Sequence, residues 1–300
     1  MKIVIAGASG FIGRHLTAHS HRLGHSVVRL VRGDGVSQPG TAPWDPVRGQ
    51  CDPAVLAGAD GVVCLSGASV LGWPWTNRYR EELVRSRITT ARTLVRAIEK
   101  LPDSDRPKAF LCGSATGYYG PDNADQFLDE SSARGVGFLA RLCEEWEQEA
   151  RKASDLTRVV NLRTGLVMGS DGGMLGPLSR IYRYGGGATL GDGSSWMPVI
   201  GIRDHVRAVL FAMQRESIVG PVNLVGPTAV RNKDFNAMLA RVVRRPAILR
   251  VPRFAILGVL GDAGREAVLA SARVTPGVLD AENFAFEAPT LEEMLREALT

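Results

Sequence analysis

The chain has no apolar run long enough to cross a bilayer, which takes about 20 residues. Ile3–Ala6 stops at Gly7, and Phe254–Leu260 is also short. A secretory leader or a membrane span is therefore not expected, and the cytoplasm is. Cysteine is sparse: Cys51, Cys64, Cys112 and Cys143 include no CxxC pair, so neither a disulfide scaffold nor a thiolate metal site is indicated. Cys64 and Cys112 fall inside apolar runs, where free thiols act as small apolar side chains, which fits a reducing compartment. Four of the five histidines crowd together as His15, His19, His21 and His25, and His15/His19 have the i,i+4 spacing of a zinc pair. No third ligand accompanies them, so no metal is expected. No GxSxG surrounds Ser114, and His205 is the one histidine left for a triad, so hydrolase chemistry lacks its motif. Long runs of one charge are also missing. The balance of 36 basic and 31 acidic side chains, net +5, is dispersed along the chain and points away from a nucleic-acid partner.

What remains is an ordinary globular composition, 45% hydrophobic and 22% charged, in 300 residues, enough for one large α/β domain or a domain with a lobe. Its most informative segment is Gly7-Ala8-Ser9-Gly10-Phe11-Ile12-Gly13, directly after the strand-like run Ile3-Val4-Ile5-Ala6. In a strand, glycine turn and helix, the first glycine permits the tight turn. The second lets a dinucleotide pyrophosphate approach the backbone, and the third lets the helix lie close on the strand. The spacing is GxxGxxG. At the end of the next strand-like run, Ser26–Arg32, the residue beside an adenosine ribose selects the cofactor. Arginine pairs with a 2′-phosphate, whereas an acid accepts from a free 2′-hydroxyl. Arg32 stands there with Arg29 nearby, and Asp34 is the acid that can take the other part. Arginine at the strand end favours NADP over NAD, and cofactor phosphates account for part of the basic excess.

Further along, Leu16 and Leu23 recur at helical spacing up to Gly24, and Gly33–Pro46 reads as a loop. Gly61–Gly67 is a buried strand with a small-residue turn. A long helix is predicted from Thr76 to Lys100, with Leu83, Ile88, Ala91, Leu94, Val95 and Ile98 on one side. Phe110–Ser114 is a strand, Phe138–Ala153 a helix and Arg158–Arg163 another strand. From Met168 to Gly193 the glycine content suits a flexible loop over a ligand site. Asp204 reads as the cap of a helix through Met213, Pro221–Val225 as a late strand, and the chain from Asn232 onward as mostly helical.

Three motifs together resemble the extended short-chain dehydrogenase/reductase superfamily: Gly7-x-x-Gly10-x-x-Gly13, Leu65-Ser66-Gly67, and Ser114-Ala115-Thr116-Gly117-Tyr118-Tyr119-Gly120. The chain is more narrowly similar to the atypical "epimerase family" branch, often labelled nucleoside-diphosphate-sugar epimerase. That likeness rests on Ser86-Arg87-Ile88-Thr89-Thr90, Phe138-Leu139-Ala140 with Trp146-Glu147, Gly220–Leu224, Arg245-Pro246 with Val251-Pro252, Arg273-Val274-x-Pro276 and Phe284-x-Phe286. The resemblance implies an α/β fold, a doubly wound parallel sheet (Rossmann fold) with a smaller, mainly helical C-terminal substrate lobe. An NADP-binding domain would span 1–167, with 200–227 returning to it, and 168–199 and 228–300 would form the substrate side. NADP(H) would contact the glycine turn (Gly7, Gly10, Phe11, Ile12, Gly13), Val31, Arg32, Leu65, Ser66, Glu82, Arg87 and Val167.

Catalysis in that superfamily uses a Tyr and a Lys four residues apart on a helix, the lysine lowering the tyrosine pKa while nicotinamide exchanges a hydride. Here the corresponding places hold Phe138 and Leu142, which transfer no proton. Ser114 can fill the serine's place and Tyr118 or Tyr119 that of the acid, although all three can equally serve turn and core. Relatives tend to carry tryptophan and histidine where Val199 and Gly201 stand. Two functions follow as expectations. One is an NADP(H)-dependent oxidoreductase or epimerase-like enzyme acting on a small-molecule substrate, nucleotide-linked ones included. The other is a non-catalytic NADP(H)-binding regulatory or sensor protein. Neither a membrane nor a nucleic acid is an expected partner.

Overall fold

The computed structural model describes residues 1–33 and 38–299. Eight strands build the central sheet: β1 (Lys2–Ala6), β2 (Ser26–Arg32), β3 (Thr41–Asp45), β4 (Gln50–Cys51), β5 (Gly61–Cys64), β6 (Ala109–Ala115), β7 (Arg158–Thr164) and β8 (Gly220–Leu224). Their spatial order is β8-β7-β6-β5-β1-β2-β3-β4, parallel throughout except for the β3–β4 edge pair. Four helices supply most of the cover: α1 (Phe11–Arg22), α2 (Asn77–Glu99), α3 (Phe138–Arg151) and α4 (Ile202–Gln214). Strand order reverses between β1 and β5, and the crevice at the carboxyl ends there is where a doubly wound sheet takes its ligand.

The strands bury both faces, so nearly every residue is apolar and alternate side chains divide between two cores. Ile3, Ile5, Val63, Leu111 and Val160 meet α1 and α4 through Leu16, Val206 and Val209. Val4, Ala6, Val62, Phe110 and Val159 meet α2 and α3 through Leu94, Ile98 and Trp146. α2 starts where Thr76 accepts a hydrogen bond from the Tyr79 amide at 3.2 Å, within one residue of expectation. A third core joins Met168, Leu175, Tyr182 and Val199 to Phe235, Leu239, Leu291 and Met294, and forms the heart of the largely helical C-terminal part. No helix among the described residues is long and apolar enough to cross a membrane.

Three local expectations are corrected. Part of Gly33–Pro46 is strand: in β3, Ala42 and Trp44 alternate into the core while Pro43 faces out, a period masked by the flanking Gly and Pro. The glycine-rich 168–193 segment is ordered, with strands Leu166–Gly169 and Gly172–Gly173, a helix Leu175–Arg183 and a strand Ala188–Leu190. Leu175 and Tyr182, seven apart, bury one side of that helix, and the Tyr182 hydroxyl donates to Asn236 at 2.7 Å. Asp204 does not cap α4, which begins two residues earlier. Its carboxylate accepts from the Glu287 and Ala288 amides at 2.9 Å each and pairs with Arg207, tying the helix to the C-terminal segment.

Candidate functional site

The glycine turn is packed backbone against backbone. Gly7 has φ +87°, and a Cβ there would lie 2.8 Å from the Leu65 carbonyl carbon and 2.9 Å from the Ser66 nitrogen. A Cβ on Gly13 would run into the Gly7 carbonyl oxygen and Ala8. The Gly10 amide donates to the Gly7 carbonyl at 3.0 Å, closing the turn, and no side chain among the described residues caps α1 at Gly10. The first amides of α1 therefore face the crevice without an acceptor, an arrangement suited to an anion. Phe11 and Ile12, half-buried, anchor α1 on the sheet. The Phe11 ring also sits in a glycine socket: Cβ atoms on Gly169 or Gly173 would fall 2.6 and 2.9 Å from it. Val167, buried at the base of that hairpin, pairs with Ile200.

Leu65 and Ser66, half-buried, follow β5 beside Gly7. Val31 and Arg32 end β2, and Arg32 is exposed with no carboxylate partner among the described residues. Asp34 lies outside the described residues. Arg87 reaches from α2 to donate to the carbonyls of Leu83 at 3.0 Å and Ala68 at 2.9 Å, and stacks 5.3 Å from the centre of the Trp146 ring. Burial pulls its pKa below the ordinary arginine value, and no carboxylate among the described residues balances the charge. Glu82, on the same helix, pairs with Arg85.

Past β6 the polar residues form a network beneath the crevice. Ser114, buried, donates to Glu147 at 2.7 Å. Glu147 is gripped by Arg163 through two nitrogens, at 2.8 and 3.0 Å, with both side chains almost fully enclosed. Burial alone would lower the Arg163 pKa, but the hydrogen bonds and charge of Glu147 outweigh it and hold the guanidinium above its ordinary value. Arg163 also donates to the Tyr119 hydroxyl at 3.0 Å, and that hydroxyl reaches Asn223 Oδ1 at 2.7 Å. Burial pushes the Tyr119 phenol up to about 12. Ser114 and Tyr119 are thus committed to the network. Tyr118 stays half-buried, its ring 3.5 Å from the Arg163 guanidinium carbon, and its hydroxyl has no partner among the described residues.

The helix position that would carry the usual tyrosine is apolar. The Phe138 ring meets Trp75 edge-on at 5.6 Å, and Leu142 is buried. The Glu266 carboxylate accepts from the Phe138 and Leu139 amides at 2.9 and 2.7 Å, so a C-terminal residue caps α3. His205 is wholly buried, 3.1 Å from the Thr164 hydroxyl, and burial drops its pKa to about 3, which keeps it neutral. Glu266 and the Glu147–Arg163 pair were not singled out from sequence. Arg163, directly after Val159-Val160-Asn161-Leu162 in a strand that should be buried, is the one signal that could have pointed to a buried partner.

Comparison with known proteins agrees with this geometry. Residues 3–226 match the NAD dependent epimerase/dehydratase family, and residues 251–298 match a domain of unknown function, DUF1731. Epimerase family protein Mb2239 of Mycobacterium bovis is 37% identical, over 99% of this chain and 97% of its own. The crystal structure of human epimerase family protein SDR39U1 (isoform 2) with NADPH is 29% identical, covers 99% of both chains and superposes with a TM-score of 0.91. A nucleoside-diphosphate sugar epimerase from Corynebacterium glutamicum, 29% identical, gives 0.80 over 100% of this chain and 58% of that one. The chain belongs to the NAD dependent epimerase/dehydratase family, with the fold and the atypical epimerase-family features that its motifs resemble.

Proposed function

We propose that the protein binds NADP(H) and uses it as an oxidoreductase or epimerase-like enzyme on a small-molecule substrate. The observation that carries this reading is the close-packed glycine turn together with two guanidinium groups, Arg32 at the end of β2 and Arg87 beside Gly67, that no carboxylate among the described residues neutralises. A pyrophosphate would lie against the backbone of that turn, Arg32 would meet a 2′-phosphate, and Leu65, Ser66 and Val167 would contact the cofactor further in. The NADPH bound to human SDR39U1 supports the same choice. Residues 1–167 with 200–227 would hold the cofactor, and 168–199 with the chain from 228 onward would hold the substrate. The name of the Corynebacterium relative keeps nucleotide-linked sugars among the candidates.

Bound NADP(H) would supply the hydride chemistry, and a phenol of this chain the proton. Of the expected three, Tyr118 is the one whose hydroxyl has no partner among the described residues, and the cation it rests on is held in place by Glu147. A second reading, cofactor binding without turnover, draws on the Phe138–Trp75 contact where a proton donor would stand. Stopped-flow oxidation of bound NADPH against a carbonyl panel that includes keto-sugar nucleotides separates them. Turnover that falls by roughly 100-fold in Tyr118→Phe, with NADPH affinity retained, supports the enzyme. Tight NADPH binding with no oxidation by any carbonyl selects the second reading.

A further inference from the structure

We infer that the outer face of the C-terminal lobe is a docking surface for an anionic lipid bilayer. The argument starts from two stretches without acidic residues, Gly172 to Gly191 and Phe235 to Gly261. Far apart in sequence, they meet in the fold. Ala188–Leu190 and Leu249–Val251 pair as parallel strands, and Arg245 donates to the Arg183 carbonyl at 3.2 Å. The joined surface exposes Arg180, Arg183, Arg241, Arg244, Arg245 and Arg250, none of which pairs with a carboxylate among the described residues. The deficit is concentrated here. Elsewhere in the C-terminal third, Arg203, Arg207, Arg231 and Arg265 each have a carboxylate partner, while Arg215 and Arg273 stack on aromatic rings.

Apolar side chains stand among these arginines. Tyr184 is 93% exposed and Ile248 87%, with Leu249 at 51% and Ile181 at 49%. On the helix Leu175–Arg183, Arg180 and Ile181 lie one turn before Tyr184, so charge and apolar bulk share one side. An uncompensated cationic field with protruding apolar groups matches the boundary between anionic headgroups and acyl chains. There guanidinium groups meet phosphates while the apolar groups enter hydrocarbon. A single-stranded RNA would answer the charge but would leave Ile181, Ile248 and Leu249 unused. A protein partner would need pockets for two side chains that stand almost clear of the surface. The expectation of no membrane partner rested on the missing span, which surface docking does not require.

Co-sedimentation of the full chain with vesicles of phosphatidylcholine alone, or mixed with phosphatidylglycerol, tests this. Binding is expected only to the anionic vesicles and should weaken as salt rises. Arg183→Glu/Arg250→Glu should weaken it by at least about tenfold, and Tyr184→Ser/Ile248→Ser should weaken it with little change in salt dependence. Arg22→Glu/Arg141→Glu, the same charge change on the sheet half, should bind as the wild type does. Thermal melts matching the wild type assign any loss to the surface, because all of these side chains face solvent. Absence of binding to the anionic vesicles overturns the proposal, as does equal loss in the sheet-half variant, which would make net charge the cause. Tight binding to polyuridylate that is indifferent to Tyr184→Ser/Ile248→Ser also overturns it and gives the face to nucleic acid.

Discussion

Arg163 is clasped by Glu147 on one side and lies 3.5 Å beneath the Tyr118 ring on the other. The pair is a rigid floor for the crevice, since a guanidinium held by two charge-assisted hydrogen bonds has little freedom left. A buried pair is weak as a source of stability, but breaking it is expensive because one charge stays behind without its partner.

Glu147→Gln should therefore cost about 3–5 kcal/mol in urea unfolding, because Arg163 would remain buried and cationic. Glu147→Gln/Arg163→Met should recover much of that loss. A single variant within about 1 kcal/mol of wild type would mean that water already screens the pair.

Arg32→Ala should leave NADH affinity unchanged and weaken NADPH by roughly 10- to 100-fold, the range that corresponds to about 1.5–3 kcal/mol for a hydrogen bond to a charged group. Fluorescence titration with both cofactors reads the difference directly. Equal weakening would show that Arg32 does not read the 2′-phosphate.

His205 gives the protein a pH dependence of known sign. Its pKa falls from 6.5 to about 3 on burial, so between those values the unfolded chain binds a proton that the folded one refuses. Stability rises with pH through that window and is lost as pH falls below 6.5 toward 3. Between pH 7 and pH 5 the wild type should lose about 2 kcal/mol more than His205→Gln, at about 1.4 kcal/mol per pH unit below the unfolded pKa. Parallel urea titrations of the two proteins check this, and superimposable pH profiles would place the titration elsewhere.

The sheet was legible because its strands follow simple rules. Ile3–Ala6 and Phe110–Cys112 are apolar throughout, Val27–Val31 is apolar but for Arg29, and the helices between them carry clear periods. The 168–193 segment was not, because glycine there serves close packing: Gly169, Gly172 and Gly173 surround Phe11, and this cannot be told from flexibility without knowing what approaches. Glycine turn and Arg32 announced a cofactor crevice through local sequence. The orientation of Tyr118 and Tyr119 depends on Asn223 and Arg163, which arrive from other strands, and the Glu82–Arg85 pair was not foreseen either. Partners set by tertiary structure leave no local trace.

The third core has a consequence for the order in which this protein matures. Met168, Leu175 and Val199 emerge from the ribosome well before their neighbours Leu291 and Met294. A nascent chain released only to Gly226 has all eight strands of its central sheet and still exposes half of an apolar interior. Commitment to the native state thus waits for the helix Leu291–Leu299, and a chaperone or protease meeting the nascent chain would find its target in the apolar faces of 168–199 that this helix later covers.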